Sequence, residues 1–377
     1  MKIIIAPDKY KSNMDSPTVC RIIRDAFLRV IPDQEILMLP MADGGEGTVD
    51  ALVSADHGTL HEVEVTGPLG RKVKARFGLY HQGQRAVMEM ASASGIALLA
   101  ASELNPLRAS TYGTGELIRA ILDRGIRHIT IGIGGSATVD GGAGMAQALG
   151  FRLLDAEGRD LSPGGGTLHK LCRIDTSMAD PRLAETEFCV ACDVTSPLLG
   201  PEGAAAVFGP QKGATSEMIP VLEKGLSVLA DVWKKQNMLA QVDAPGDGAA
   251  GGLGAGLKAF CKARSSSGAE LVMKALEFEK HLQNTDLVIT GEGRTDDQTE
   301  AGKICGEIAK AAHRHHVPVL LLSGSLAGDP DSFLNTFDYA FSTSSGHTSL
   351  EETLAHGRQD LAFSAENIAR LWKRKGL

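Results

Sequence analysis

Short runs of β-branched and aliphatic residues, each ending in a turn of glycine, acidic residues and hydroxyls, recur along this chain of 377 residues. Such runs read as buried strands, and a turn followed by apolar positions at a 3.6-residue period reads as a strand feeding a helix. The pattern predicts a strand at Ile3 to Ala6, a helix from Pro17 to Val30 that opens on its proline, and a strand at Glu35 to Leu39. Glu62 to Val65, Lys72 to Gly78 and Ala86 to Met90 alternate like antiparallel strands, with Gly67-Pro68 turning between the first two. Helices follow at Tyr112 to Arg124, Asp140 to Leu149, Ser216 to Gln236 and Gly252 to Ala263, with strands at Ile129 to Ile133 and Phe188 to Ala191. From Asp286 a strict rhythm returns: strand Leu287 to Thr290, helix Gly302 to His315, strands Val319 to Leu322 and Tyr339 to Phe341, and a last helix from Ser349.

The two ends therefore share one grammar and the middle departs from it. The simplest organisation is an α/β protein in which residues 1–65 and 284–377 build one parallel sheet and residues 66–283 form an inserted mixed α/β domain. A length beyond the usual single core supports two domains.

Composition narrows the function classes. Hydrophobic residues at 43% and charged residues at 22% are ordinary for a soluble globular protein, while 44 glycines against 15 prolines fit many tight strand-to-helix turns. A net charge of −8 without a contiguous basic stretch argues against a nucleic-acid partner and for a small-molecule substrate. The apolar run at the N-terminus is too short for a signal segment or a membrane span, so a cytoplasmic protein with no membrane partner is expected. Six cysteines then read as reduced thiols, and Cys189 and Cys192, on opposite strand faces, as small hydrophobes rather than a metal or redox pair. A homodimer stays open.

Ligands of open α/β sheets lie at the carboxyl ends of the strands. Those ends carry Asp8, Lys9 and Lys11; Asp43 and Glu46; Ser136, Thr138 and Asp140; Asp193; and Glu292, Arg294, Asp296 and Lys303. An acidic, glycine-lined crevice with a few lysines suits a magnesium nucleotide, because the metal needs one or two carboxylates while phosphates want amides and lysine. The turn Gly134-Gly135-Ser136, ahead of the helix expected from Asp140, is the main candidate for an anion cradle, with a second at Gly246 to Gly256. No Walker A loop is present, since Gly302-Lys303 is followed by Ile304. Gly132 to Ala137 fits the G-x-G-x-x-A of a dinucleotide site, but Thr138 to Gly142 interposes a further turn before the helix. His313, His315 and His316 read as helix-end residues.

Ala6-Pro7-Asp8, Met41 to Thr48, Val65 to Gly70, Asn105 to Arg108, Tyr112 to Ile118, Gly132 to Gly150, Cys192 to Thr195, Phe208 to Ala214, Ala249 to Gly254 and Ile289 to Arg294 together resemble, in order and over essentially the whole chain, the bacterial glycerate kinase family of the glycerate 2-kinase type. The resemblance implies two α/β domains, one flavodoxin-like and built from both chain ends, and ATP-dependent phosphorylation of glycerate with Mg2+, in most such enzymes to 2-phosphoglycerate. On that reading Gly134, Gly135, Ser136, Gly251 and Gly252 hold ATP phosphates and Lys212 or Lys303 neutralises developing charge. Asp193 and Glu292 take the metal and Asp296 is the base, with Asp43 as rival. Asp8, Lys11 and Arg294 meet the substrate, Lys11 and Arg294 through its carboxylate. Lys9, Asn13, Val139 and Ser196 depart from the family pattern, which motivates two alternatives: a kinase of the same fold for another small hydroxy acid, and a non-catalytic sensor of such an acid. Retention of Asp193, Glu292 and Asp296 argues against the sensor.

Overall fold

Ile3, Ile4 and Ile5 are completely buried because their strand, Lys2–Ile5, runs through a five-stranded sheet covered on both faces. The computed structural model describes residues 1–296, 303–346 and 349–374. Its first compact unit comprises Met1–Asp43, Asp50–His57 and Gly268–Leu377. Across its sheet the order is Glu35–Met38, Lys2–Ile5, Leu287–Glu292, Val319–Ser323 and Tyr339–Ser342, every pair parallel. Numbered within the unit this is 2-1-3-4-5, the flavodoxin order, so the strand order reverses between Lys2–Ile5 and Leu287–Glu292.

Sequence fixes the flanking helices of this unit. Asp15 caps the helix Ser16–Val30 by accepting from the Thr18 amide at 2.7 Å, and Pro17 sits in the first turn, where a missing N–H costs nothing. Val19, Ile23, Ala26 and Phe27 then face inward, against Leu361, Ala365 and Ile368 of the last helix, Leu350–Arg374. The helix predicted from Gly302 is Ile304–Arg314; Gly302 itself lies outside the described residues.

The second unit comprises Gly44–Val49 and Gly58–Ser267. Its six strands follow the order Arg264–Ser266, Glu187–Ala191, His128–Gly132, Arg85–Glu89, Lys72–Tyr80, Thr59–Thr66. The first four are parallel and the last two join antiparallel, which is the mixed sheet the alternating segments predict. Ala75 and Phe77 point into the core while Lys72 and Lys74 stay exposed, as a half-covered sheet requires. Helix Tyr112–Leu122 lays Leu117, Ile118 and Ile121 on that face. Trp233 and Phe260 meet edge to face at 5.7 Å deeper in the same core.

Two glycine-rich segments differ from expectation. The helix predicted from Asp140 starts only at Ala143 and ends at Ala148, because Gly141 and Gly142 hold φ of +59° and +77°, outside the helical region. The helix predicted from Gly252 is Ala249–Cys261, but Ala250, Gly251 and Gly252 are left-handed and break its first turn. Helix Thr48–Ala55 and the hairpin Arg152–Leu154 with Arg173–Asp175 carry too few periodic positions to be predicted at all. Among the described residues no helix is long and apolar enough to cross a membrane.

Candidate active site

In the second unit, strand His128–Gly132 delivers the chain to an exposed turn at Gly134 and Gly135. Gly135 has φ +73°, and its carbonyl accepts from the Ile96 amide at 2.9 Å, so the turn is fixed from behind. Ala137 N–H to Ser94 O at 3.0 Å fixes its far side. Among the described residues neither the Gly134 nor the Gly135 N–H donates to a protein acceptor. Immediately behind it Lys212, 2% exposed, donates to Ser136 Oγ at 2.6 Å and to Thr138 O at 2.8 Å. Burial pulls its ammonium down to about 7, with the Asp140 charge opposing. Thr138 Oγ1 is buried without a hydrogen-bond partner among the described residues, a cost a bound oxygen would relieve.

The other glycine turns are filled by the protein's own carboxylates. Asp140, fully buried, accepts from Thr111 N at 2.8 Å, Thr111 Oγ1 at 2.9 Å, Gly142 N at 3.2 Å and Gly144 N at 3.3 Å. The amides expected to point at a phosphate from this short helix are therefore spent on Asp140. Asp247, equally buried, accepts from Ala244 N at 2.9 Å and from Lys258 Nζ at 2.7 Å within the second proposed cradle. Glu89 takes the Gly47 and Val49 amides at 3.0 and 3.1 Å. Gly251 and Gly252 are buried too, and a Cβ on Gly251 would sit 1.9 Å from Thr138 O, so glycine there lets this turn back the Ser136 loop.

In the first unit, Asp8 lies just past strand Lys2–Ile5, its amide donating to Gly291 O at 2.8 Å. It is 9% exposed, and burial, helped by the neighbouring Asp43 and Glu292 charges, raises its carboxyl to about 7 even though Lys9 N–H donates to Oδ1 at 2.7 Å. Tyr10 anchors the same turn through its hydroxyl to Leu322 O at 2.7 Å. Glu292 Oε1 accepts from Thr295 Oγ1 at 3.2 Å. Asp296 pairs with Lys303 at 3.3 Å, so the predicted base and a predicted phosphate cation are partners. Lys11 and Arg294 are exposed on adjoining turns whose backbones approach closely at Gly293, where a Cβ would lie 3.1 Å from Lys11 N. Asp43 is exposed in this unit, and Asp193 is exposed after strand Glu187–Ala191 in the other.

Among the described residues no three His, Cys, Asp or Glu side chains are grouped to hold a metal ion. Magnesium beside phosphates asks for only one or two carboxylates, and Glu292 is a half-buried carboxylate at a strand end. None of the six cysteines is in a disulfide, and Cys189 and Cys192 are half-buried. Sequence reasoning passed over Glu89, Thr111 and Asp247. Glu89 ends strand Arg85–Glu89, so the strand-end rule that collected Asp8 reaches it as well.

Two of the departures from the family pattern have structural employment. Val139 is fully buried in the core of the second unit. The Asn13 side chain donates to Leu354 O, tying its turn to the last helix.

The family model described as glycerate kinase family matches residues 3–373. A glycerate kinase of Bacillus subtilis (strain 168) is 48% identical over 370 residues, covering 98% of this chain and 97% of its own. A glycerate 2-kinase of Escherichia coli (strain K12) is 46% identical with the same coverage. A crystal structure described as a glycerate kinase 2 from Salmonella typhimurium LT2 superposes with a TM-score of 0.92 at 47% identity, over 100% of this chain and 99% of that one. With a whole-chain family match and relatives near half identity, the chain belongs to the glycerate kinase family.

Proposed function

We propose that the protein transfers the γ-phosphoryl group of ATP to glycerate with Mg2+, giving 2-phosphoglycerate. The observation that carries this reading is the exposed Gly134–Gly135 turn, whose two amides are unspent, with Lys212 held behind it through Ser136. Phosphoryl transfer asks a protein for positioning and charge stabilisation more than for covalent chemistry, and fixed amides beside a buried ammonium supply both.

In the first unit Asp8 is the better base than Asp296. Its carboxyl is tuned to about 7, where a general base works best at neutral pH, whereas Asp296 is committed to Lys303. On this reading Asp8 takes the proton of the attacking hydroxyl, and that oxygen bonds to the γ-phosphorus as the bond to the ADP oxygen breaks. Lys11 and Arg294 meet the carboxylate of the acid. Glu292 and Asp193 are the candidates for Mg2+, which supplies further charge neutralisation when bound. The buried Val139 and the tied Asn13 are explained by packing, which weakens the case for a different acid.

A coupled ADP assay on a panel of three- and four-carbon hydroxy acids tests the proposal. Turnover should be highest with D-glycerate; equal or greater turnover with a four-carbon acid, or none with any acid, would overturn it.

A further inference from the structure

The second unit also contains a cleft of about 310 Å³, separate in sequence from the Gly134 turn and built from motifs to which the reading above gives no task. Its walls are Pro68 and Leu69 from the hairpin tip after strand Thr59–Thr66, Tyr112 at the start of helix Tyr112–Leu122, and Pro163. Arg108 and Ser110 also line it, with Thr66, Gly67 and Gly70 between. The volume falls at the lower end of the range for small-molecule sites.

The cleft is formed in advance. Ser110 N–H donates to Pro68 O at 2.9 Å, and Gly166 N–H to Leu107 O at 2.9 Å, so the segments that supply the walls are pinned by backbone bonds. Gly113 lets the helix start lie flush on the strand end, since a Cβ there would sit 2.0 Å from Thr66 O.

Its chemistry is a half-open, mostly apolar cleft with one unspent guanidinium. Arg108 is exposed and, among the described residues, its guanidinium has no ion pair or hydrogen bond, whereas nearby Arg71 pairs with Glu103 at 2.9 Å and Lys72 with Glu116 at 3.6 Å. Ser110, 5% exposed, accepts from Tyr112 N at 3.2 Å, and its Oγ packs against Gly144, where a Cβ would lie 2.1 Å away. Apolar walls can take the face of a ring, and a planar guanidinium suits either the face of such a ring or an anionic oxygen. Glycerate, with a polar group on every carbon, would lose hydrogen bonds to water against these walls without replacement.

The segment that lines the cleft is also tied to the residues that brace the phosphate turn. Thr111, between Ser110 and Tyr112, donates twice to Asp140, and Thr114 Oγ1 lies 2.9 Å from Ser94 Oγ, whose own carbonyl holds Ala137. The same short helix start therefore braces both places.

We propose that this cleft receives the base and ribose of the nucleotide, the ring lying against Pro68, Leu69, Tyr112 and Pro163, with Arg108 meeting its polar atoms. The inference rests on the reading of the protein as an ATP-dependent kinase and adds where the nucleotide is recognised.

Photolabelling of the full chain with 8-azido-ATP, followed by peptide mapping, tests it together with Arg108→Ala and Leu69→Ala. The label should fall within residues 66–70 or 107–112 and be suppressed by ADP but not by glycerate. Each variant should raise KM for ATP five- to tenfold while KM for glycerate and kcat stay within twofold. Labelling elsewhere, an ATP KM within twofold of the unaltered protein, or a rise in glycerate KM alone would overturn the assignment. If the unaltered protein forms no ADP with glycerate, the kinase reading fails, whereas the ADP-protected labelling pattern still reads the cleft on its own.

Discussion

Lys212 reaches Ser136 Oγ at 2.6 Å from a position only 2% exposed, and no carboxylate lies within ion-pair distance of its ammonium among the described residues. A buried cation with only a hydroxyl and a carbonyl as partners is costly to hold, and an anion arriving at the adjacent turn would offset that cost. Lys212→Met keeps the length and removes the charge. The expected outcome is a fall in kcat/KM for ATP of tenfold or more with thermal stability equal to or above that of the unaltered protein. Steady-state kinetics with a melting curve check this; lowered stability with intact kinetics would mean the lysine only ties two loops.

Asp8 gives a prediction in pH. Its folded-state pKa of about 7 lies above the ordinary carboxylate value of 3.8, so the folded chain binds a proton that the unfolded chain releases between those values. Stability contributed by this group is present below pH 3.8 and is lost as pH rises through about 7. Asp8→Asn should therefore raise stability at pH 8 relative to the unaltered protein, by on the order of a few kcal/mol, and leave it nearly unchanged at pH 4. It should also abolish the rise of kcat with pH near neutrality. Denaturant melts at the two pH values and a pH–rate profile check both halves.

Asp140 is buried against donors on every side, so removing its acceptor capacity leaves amides without partners. Asp140→Ala should cost about 3–5 kcal/mol, seen as a lower urea midpoint. A midpoint unchanged within error would contradict the view that this carboxylate, rather than a ligand, fills the turn.

Gly251 and Gly158 separate steric from conformational cost. Both have positive φ, +70° and +76°, but a Cβ on Gly251 would strike Thr138 O at 1.9 Å and one on Gly158 would meet nothing within 4 Å. Gly158→Ala should cost about 1–2 kcal/mol from backbone strain alone, and Gly251→Ala clearly more, with turnover falling as the Ser136 loop shifts. Equal losses would remove the packing explanation.

Much of this was legible in the pattern of residues. The Ile3 and Leu287 runs announce parallel strands because burial on both faces demands continuous apolar character, and Lys72 to Gly78 announces a sheet with one face exposed because its apolar positions alternate. Strand-end collection brought Asp8 and Glu292 into one unit, where they lie close enough for Glu292 to raise Asp8. What sequence does not carry is the state of each glycine turn. Gly134, Gly142 and Gly251 look equivalent in one dimension, yet Gly134 keeps its amide free, the Gly142 amide is taken by Asp140, and Gly251 is packed so tightly on Thr138 that a Cβ would lie 1.9 Å from its carbonyl oxygen. The difference is made by long-range partners such as Thr111, 29 residues from Asp140, to which no local period points.

Phosphorus NMR of the reaction of purified protein with Mg-ATP and D-glycerate tests the proposed chemistry at its centre. ADP should form in step with a single new phosphate ester, identified as 2-phosphoglycerate. A 3-phosphate would contradict the proposed position of attack, and no ester from protein that still binds Mg-ATP would contradict glycerate as its acceptor.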